Sequence, residues 1–319
     1  MGIVDGLHVV IGAGGGTGTA VVRELQRCGR RVRGVNRSGR ADLPDGVEVV
    51  AGDAADPERM RQVCRGSVVV YNAVNPPLVR WRQDFPAVID GILAGAGAGA
   101  AGARMVFVDD TWMYGKVDGP MTEDLPDRPV SSKGVLRAWL AERVLAAHAR
   151  GEVATVIGRA PELYGPAVES LLGRTLFVAA VRGKAGLWAG SMTEPLTPMF
   201  IDDFAYGLVE LGERADALGR AWHLPTPPPT TAGEFIHQVS AGVVGISVSA
   251  ASAPGRSALP GCSPPSPVKV PRCCISSSSR TSSIPRDTAT PSGPDRSPPT
   301  RRASGQRSTG TVPGNPPGV

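Results

Sequence analysis

Gly12-Ala13-Gly14-Gly15-Gly16-Thr17-Gly18 joins an apolar run at residues 7–11 to residues 19–25, whose apolar positions recur at helical spacing. The glycines therefore fall where a buried strand turns into a helix. A helix start exposes unpaired N–H groups and the positive end of a dipole, and glycines, lacking Cβ, let a phosphate group approach the backbone. By itself such a cluster also suits a flexible turn in a chain with 41 glycines among 319 residues. The context decides between the two. A second apolar run at 31–35 ends in Asn36-Arg37-Ser38, about 20 residues beyond the glycines, where a dinucleotide-binding βαβ unit places the residue that reads the ribose.

The spacing Gly12-x-x-Gly15-x-x-Gly18, with Gly16 and Thr17 inside it, resembles the fingerprint of the short-chain dehydrogenase/reductases, in particular their extended group of NAD-dependent epimerases and dehydratases. The resemblance implies an α/β fold, a doubly wound, Rossmann-type parallel sheet of about six or seven strands in the order 3-2-1-4-5-6 along the chain. It also implies an NAD(P) cofactor whose pyrophosphate lies on Gly12, Gly15, Gly16, Thr17 and Gly18. After the second strand an acidic residue favours NAD, whereas a basic one favours the 2′-phosphate of NADP. Arg37, with Arg40 nearby, offers a planar fork to phosphate oxygens, so NADP is expected ahead of NAD. A solvated surface arginine is the other reading of Arg37.

A third strand at 47–51 leads into Gly52-Asp53-Ala54-Ala55-Asp56. By resemblance Asp53 lies near the adenine amine; from its own chemistry Asp56 caps a helix opening at Pro57. The fourth strand, 67–72, is a nearly continuous apolar run, as for a parallel strand buried on both faces. Its end places Asn72 and Ala73 at the cofactor crevice. The prolines of Ala73-Val74-Asn75-Pro76-Pro77 and of Phe85-Pro86 predict a loop through this whole stretch. Trp81 and Phe85 either contact a substrate or cover the core. A helix over 89–103 follows, carrying Gly91, Gly95, Gly97, Gly99 and Gly102; at about 1 kcal/mol for each interior glycine it should be short or frayed.

The fifth strand, 104–109, exits through Asp109-Asp110-Thr111-Trp112-Met113-Tyr114-Gly115. This segment resembles the Ser-Ser-x-x-Val-Tyr-Gly of the extended reductases, with Asp110 in place of the catalytic serine or threonine. Those enzymes also carry Tyr-x-x-x-Lys on the next helix, the lysine lowering the phenol pKa and holding the nicotinamide ribose. Here Lys133 lies in Pro129-Val130-Ser131-Ser132-Lys133-Gly134, and Pro129 stands four residues before it. The resemblance then leaves Asp110 and Tyr114 as candidate proton carriers, with Lys133 as candidate catalytic residue and ribose ligand. Lys133 falls in the first turn of a helix over 135–149, where a cation opposes the dipole and is either solvated or held by something anionic. The run Ser-x-Lys-Gly-x-x-Arg, ending at Arg137, is similar to a subset of epimerase-like proteins that also lack the tyrosine.

A sixth strand at 153–158 precedes Arg159-Ala160-Pro161-Glu162-Leu163-Tyr164-Gly165-Pro166, which resembles the start of the substrate-binding part. Tyr164 is read as bracing that loop. A helix over 204–213, a strand near 222–224, and a capping box, Thr231-Ala232-Gly233-Glu234, complete the pattern. The four histidines have no common spacing and are read as structural. The expected organisation is a nucleotide-binding domain over 1–160, a small, incomplete substrate lobe with returning segments over 161–240, and a tail over 241–319.

From Ala241 onward there are 14 prolines and 16 serines in 79 residues, no aromatic residue and one leucine. Such a segment buries too little apolar surface to order itself. It is either a genuine Pro/Ser-rich tail or the product of a shifted reading frame. The net charge of +5 belongs to it: after Ser240 nine Lys/Arg face two Asp/Glu, leaving 25 against 27 before it. The basic balance therefore gives no reason to expect a nucleic-acid partner. Without a signal sequence or a long apolar run the chain is expected to be cytoplasmic, with no membrane partner. The five cysteines lack zinc or disulfide spacing, so reduced thiols and no metal are expected. Two functions are open: an NAD(P)-dependent oxidoreductase or epimerase/dehydratase acting on a small sugar-like substrate, with a homodimer as one assembly, or a nucleotide-binding sensor that has lost turnover.

Overall fold

The structure is a computed structural model that describes residues 5–242 apart from 99–101, 171, 173–175, 185, 187 and 189. The readings of 241–319 as a tail fall, beyond residue 242, outside the described residues. The chain begins with β1 (Leu7–Ile11), α1 (Gly16–Arg27), β2 (Arg31–Asn36), β3 (Glu48–Ala51), α2 (Pro57–Val63) and β4 (Ser67–Asn72). It continues through α3 (Trp81–Ala98), β5 (Arg104–Asp109), α4 (Ser132–Ala149) and β6 (Ala154–Arg159). The strands pair in parallel, in the order β3-β2-β1-β4-β5-β6, as expected from the fingerprint, and a seventh, β10 (Ala221–His223), adds to β6.

Burial on both faces explains the composition of the strands. Val9 and Ile11 point into a core shared with Met60 of α2, Phe85 and Ile89 of α3, and Leu140 and Val144 of α4. Val10 and Val69 point to the other face, against Val21, Val22 and Leu25 of α1 and Phe204 and Leu208. Each fully buried side chain of this size contributes about 1.5–3 kcal/mol, so both layers are held by apolar burial. Phe204 and Leu208 belong to α6 (Ile201–Glu213), which the chain reaches through β7 (Leu163–Tyr164), α5 (Val178–Val181), β8 (Pro195–Leu196) and β9 (Met199–Phe200). A small third cluster packs Leu172, Leu176 and Phe235. Tyr164 stacks on Phe177 and meets Phe200 and Phe235, so it does brace its loop. β11 (Thr230–Thr231) precedes α7 (Ala232–Gly242), whose capping box closes reciprocally: Glu234 N–H donates to Thr231 Oγ1 and Thr231 N–H to Glu234 Oε2.

The third helix departs from the expectation. It runs from Trp81 to Ala98 with Pro86 inside it, where a loop was expected. Pro86 has no N–H to give to the helix, a loss of about 3 kcal/mol. Burial of Trp81, Phe85, Val88, Ile89 and Ile92 along one face outweighs it. Gly91 and Gly95 do not interrupt the helix, and it ends at Ala98, before the expected 103, with Gly99 outside the described residues. A Cβ on Gly91 would stand 2.1 Å from the carbonyl oxygen of Ala54, and one on Gly95 would stand 2.9 Å from that of Met60. These glycines let α3 lie directly on α2 and the turn before it.

Candidate active site

The strand order reverses between β1 and β4, and the crevice outside their carboxyl ends is where open α/β sheets take ligands. β1 ends at Gly12, which has φ +88°, a conformation that favours glycine. Its N–H donates to Val35 O at 2.8 Å, and Gly15 N–H donates back to Gly12 O at 3.0 Å, closing a tight turn. A Cβ on Gly18 would come 2.2 Å from Gly12 O, and one on Gly16 would come 2.5 Å from Ala167 O. The loop after Tyr164 thus lies against the start of α1. No side chain caps α1, and its first turn holds no acidic residue. An uncapped helix start of this kind is where anions bind.

Arg37 is exposed just beyond β2. Asn36 Nδ2 is occupied by Arg40 O at 2.8 Å. Asp53 is exposed and accepts from Ala55 N–H at 3.0 Å, while Asp56 caps α2 through Glu58 and Arg59 N–H groups. At the end of β4, Ala73 N–H donates to Ile11 O at 2.9 Å. Asn72 is 1% exposed; its Oδ1 accepts from Val74 N–H, and its Nδ2 has no hydrogen-bond partner among the described residues. An orphaned donor at the end of β4, together with an uncapped helix start, is what a crevice built for a dinucleotide leaves open. The residues present fit such a cofactor.

Asp110 follows β5 and is 22% exposed at its side chain. Its Oδ1 accepts from Trp112 N–H at 2.9 Å, and its Oδ2 lies 2.9 Å from Arg137 Nε. Helix α4 is brought to this exit by two features. Ser131 caps it through Gly134 N–H at 3.1 Å, and Gly134 admits the Trp112 carbonyl, 2.5 Å from where a Cβ would be. Lys133, in that first turn, is half-buried. Arg137 follows one turn later and is buried, its guanidinium 4.3 Å from the ring centroid of Trp81 and 4.9 Å from that of Phe85. Trp81 and Phe85 therefore cover the core and carry Arg137.

Behind Asp110 lies a buried chain of polar groups. Asp109 has a wholly buried side chain between Arg137, 3.5 Å away, and Arg159, 3.1 Å away. Burial, with the charge of Asp110 adding, pushes its carboxyl up to about 6, against the pull of the two arginines. Arg159 Nη1 donates to Tyr114 Oη at 2.7 Å, and Tyr114 Oη lies 2.7 Å from His223 Nε2. Tyr114 is 1% exposed; burial pushes its phenol up and His223 down. The structure brings Asp110 and Tyr114 to one strand exit but turns them to opposite sides, Asp110 outward and the Tyr114 hydroxyl inward.

Asp109 and Arg159 carry no assigned role in the sequence and His223 is read there only as structural, because no local motif tells that a strand-end aspartate meets an arginine about fifty residues later. Arg137 did leave a signal. Lys133-x-x-x-Arg137 keeps the four-residue spacing of Tyr-x-x-x-Lys with other residues. Of the cysteines, Cys64 is buried and its thiol pushed up to about 12 by burial, which leaves it unreactive.

The family model described as the NAD dependent epimerase/dehydratase family matches residues 8–222. A UDP-glucose 4-epimerase of Streptomyces lividans is 26% identical over 167 residues, 47% of this chain and 51% of that protein. The chain thus spans about half the length of this curated relative. Among solved structures, a dTDP-glucose 4,6-dehydratase from Streptomyces venezuelae with NAD bound has a TM-score of 0.64 at 20% identity, covering 73% of this chain and 79% of that one. A UDP-glucuronic acid 4-epimerase from Bacillus cereus, in complex with UDP-glucuronic acid and NAD, also scores 0.64, at 19% identity, with 74% and 82% covered. These structural likenesses show the shared fold. No described helix is long and apolar enough to cross a membrane.

Proposed function

Because the chain belongs to the NAD dependent epimerase/dehydratase family, we propose that it is an NAD(P)-dependent oxidoreductase of the epimerase or dehydratase kind. Its substrate in this reading is a small sugar-like molecule carrying a hydroxyl or carbonyl group. The observation that carries the reading is the uncapped start of α1 together with the unpaired Nδ2 donor of Asn72 at the end of β4. When bound there, a nicotinamide dinucleotide supplies a hydride acceptor or donor. Gly12, Gly15, Gly16, Thr17 and Gly18 receive the pyrophosphate, Arg37 the 2′-phosphate of NADP, and Asp53 the adenine. Asn72 and Ala73 line the crevice, and the Lys133 ammonium donates to ribose hydroxyls. Asp110 handles the substrate's alcohol proton: Oδ1 keeps a lone pair beyond the one taken by Trp112 N–H. Tyr114, with its hydroxyl held by Arg159 and His223, braces the strand exit from inside.

The test begins with the full-length protein titrated with NADPH, NADP, NADH and NAD by fluorescence and calorimetry. UDP-glucose and dTDP-glucose then serve as probe substrates, followed by nicotinamide absorbance and product chromatography. Binding with turnover of a probe supports the reading, and failure to bind any dinucleotide sinks it. The inward turn of Tyr114 favours a second reading, a protein that binds the dinucleotide and reports it without turnover. Cofactor binding with no substrate conversion across a panel of sugar nucleotides would select that one.

A further inference from the structure

The buried chain behind Asp110 runs Asp110, Arg137, Asp109, Arg159, Tyr114, His223. It does not carry a proton through the fold. Two of its members are arginines, which keep their protons in proteins. What it transmits is position.

We propose that Arg137 is a positioning residue, gripping the Asp110 carboxylate from inside the fold so that it faces the crevice in one orientation, with Asp109 holding Arg137 in turn. The inference rests on the proposed role of Asp110 as the proton-handling group. Three observations carry it. First, Arg137 is held from two directions: two carboxylates take its charge, and its guanidinium carbon lies over the rings of Trp81 and Phe85. Planar stacking combined with a forked charge is a property of guanidinium that an ammonium lacks. Second, the division of labour between the aspartates follows from exposure. Asp109, with no exposed side-chain surface, has no access to a substrate, whereas Asp110 does. Third, the grip is electrostatic. Arg137 Nε, though 2.9 Å from Asp110 Oδ2, is not aligned for a hydrogen bond, and Asp109 Oδ1 also lacks one among the described residues.

The experiment compares wild type with Arg137→Lys, Arg137→Gln and Asp110→Asn in the full-length protein. Three-bond NMR couplings across χ1 of Asp110 give a readout that does not depend on turnover. One rotamer in wild type and averaging among rotamers in folded Arg137→Lys is the expected result; a single unchanged rotamer overturns the proposal. Should Arg137→Lys fail to fold, Arg137→Gln, which keeps a planar donor without the charge, is read the same way. On UDP-glucose, kcat of Arg137→Lys should fall about tenfold or more with KM and the dinucleotide Kd unchanged. Adding Arg137→Lys to Asp110→Asn should bring little further loss, because Arg137 acts only through Asp110. Losses that multiply in the double variant overturn the proposal. If wild type converts no probe, the reading of Asp110 as a proton carrier fails, while the rotamer measurement still decides what Arg137 does.

Discussion

A Cβ on Gly18 would stand 2.2 Å from the carbonyl oxygen of Gly12, so the first turn of α1 presses on the end of β1 through the absence of a side chain. Backbone has no rotamer in which to escape, and overpacking of this kind costs about 1–3 kcal/mol. Gly18→Ala should therefore lower Tm by several degrees and abolish dinucleotide binding. Gly15 is the contrast: its Cβ would meet nothing nearer than Gly12 O at 3.5 Å. Gly15→Ala should leave stability within about 0.5 kcal/mol of wild type and weaken only cofactor binding. Thermal denaturation beside NADPH titration checks both, and full binding by both variants would remove the cradle from this loop.

Arg37 stands exposed beyond β2, with the neighbouring Asn36 amide committed to Arg40 O. Charge-assisted hydrogen bonds to a 2′-phosphate are worth about 1.5–3 kcal/mol. Arg37→Ala should weaken NADPH roughly 10- to 100-fold and leave NADH unchanged. Equal effects on the two cofactors, measured by calorimetry, would mean that Arg37 is a solvated charge.

The glycines of α3 show where reading the sequence reaches its limit. Strand ends at Asn72 and Asp109 were legible because parallel strands buried on both faces announce themselves as apolar runs. The cofactor loop was legible because its chemistry is local. Gly91 was read as a weak point of a helix, since propensity is all that one segment reveals; its partner, the carbonyl of Ala54, lies in another. The Asp109–Arg159 pair was hidden for the same reason. Gly91→Ala gives the distinction a measurement. Propensity alone would stabilise the helix by about 1 kcal/mol, whereas a Cβ 2.1 Å from a backbone oxygen should destabilise the protein by about 1–3 kcal/mol. A urea midpoint above that of wild type would overturn the packing account.

Asp109 gives the acid range a sign of its own. Burial raises its carboxyl from the ordinary value of 3.8 to about 6, so between these values the folded state holds a proton that the unfolded state has released. That contribution to stability is complete below about pH 4 and is lost as the pH rises through 6. Carboxyls lowered in the folded state, such as Glu152 and Asp216 beside their arginines, act oppositely and at lower pH. Carboxyl 13C NMR should show one aspartate titrating near 6. In Asp110→Asn that midpoint should fall, because the neighbouring charge that raised it is gone. A midpoint that stays put would place the whole shift in burial.

Tyr114→Phe separates a brace from a proton carrier. The hydroxyl accepts from Arg159 Nη1 and stands 2.7 Å from His223 Nε2, which accepts the phenol proton when its ring is neutral, the form that burial favours. Removing the oxygen leaves the buried Arg159 and the half-buried His223 short of a partner, at about 1–3 kcal/mol. Asp109 still holds Arg159, and the crevice at Gly12 and Asn72 is untouched. A brace therefore predicts a lower Tm, an unchanged dinucleotide Kd, and turnover of a probe sugar nucleotide reduced less than about tenfold. A proton carrier predicts the reverse, since general acid–base catalysis contributes about 10²- to 10⁴-fold: kcat collapses while Tm barely moves. That second outcome would transfer the role from Asp110 to Tyr114 and require the hydroxyl to swing away from His223 when substrate binds.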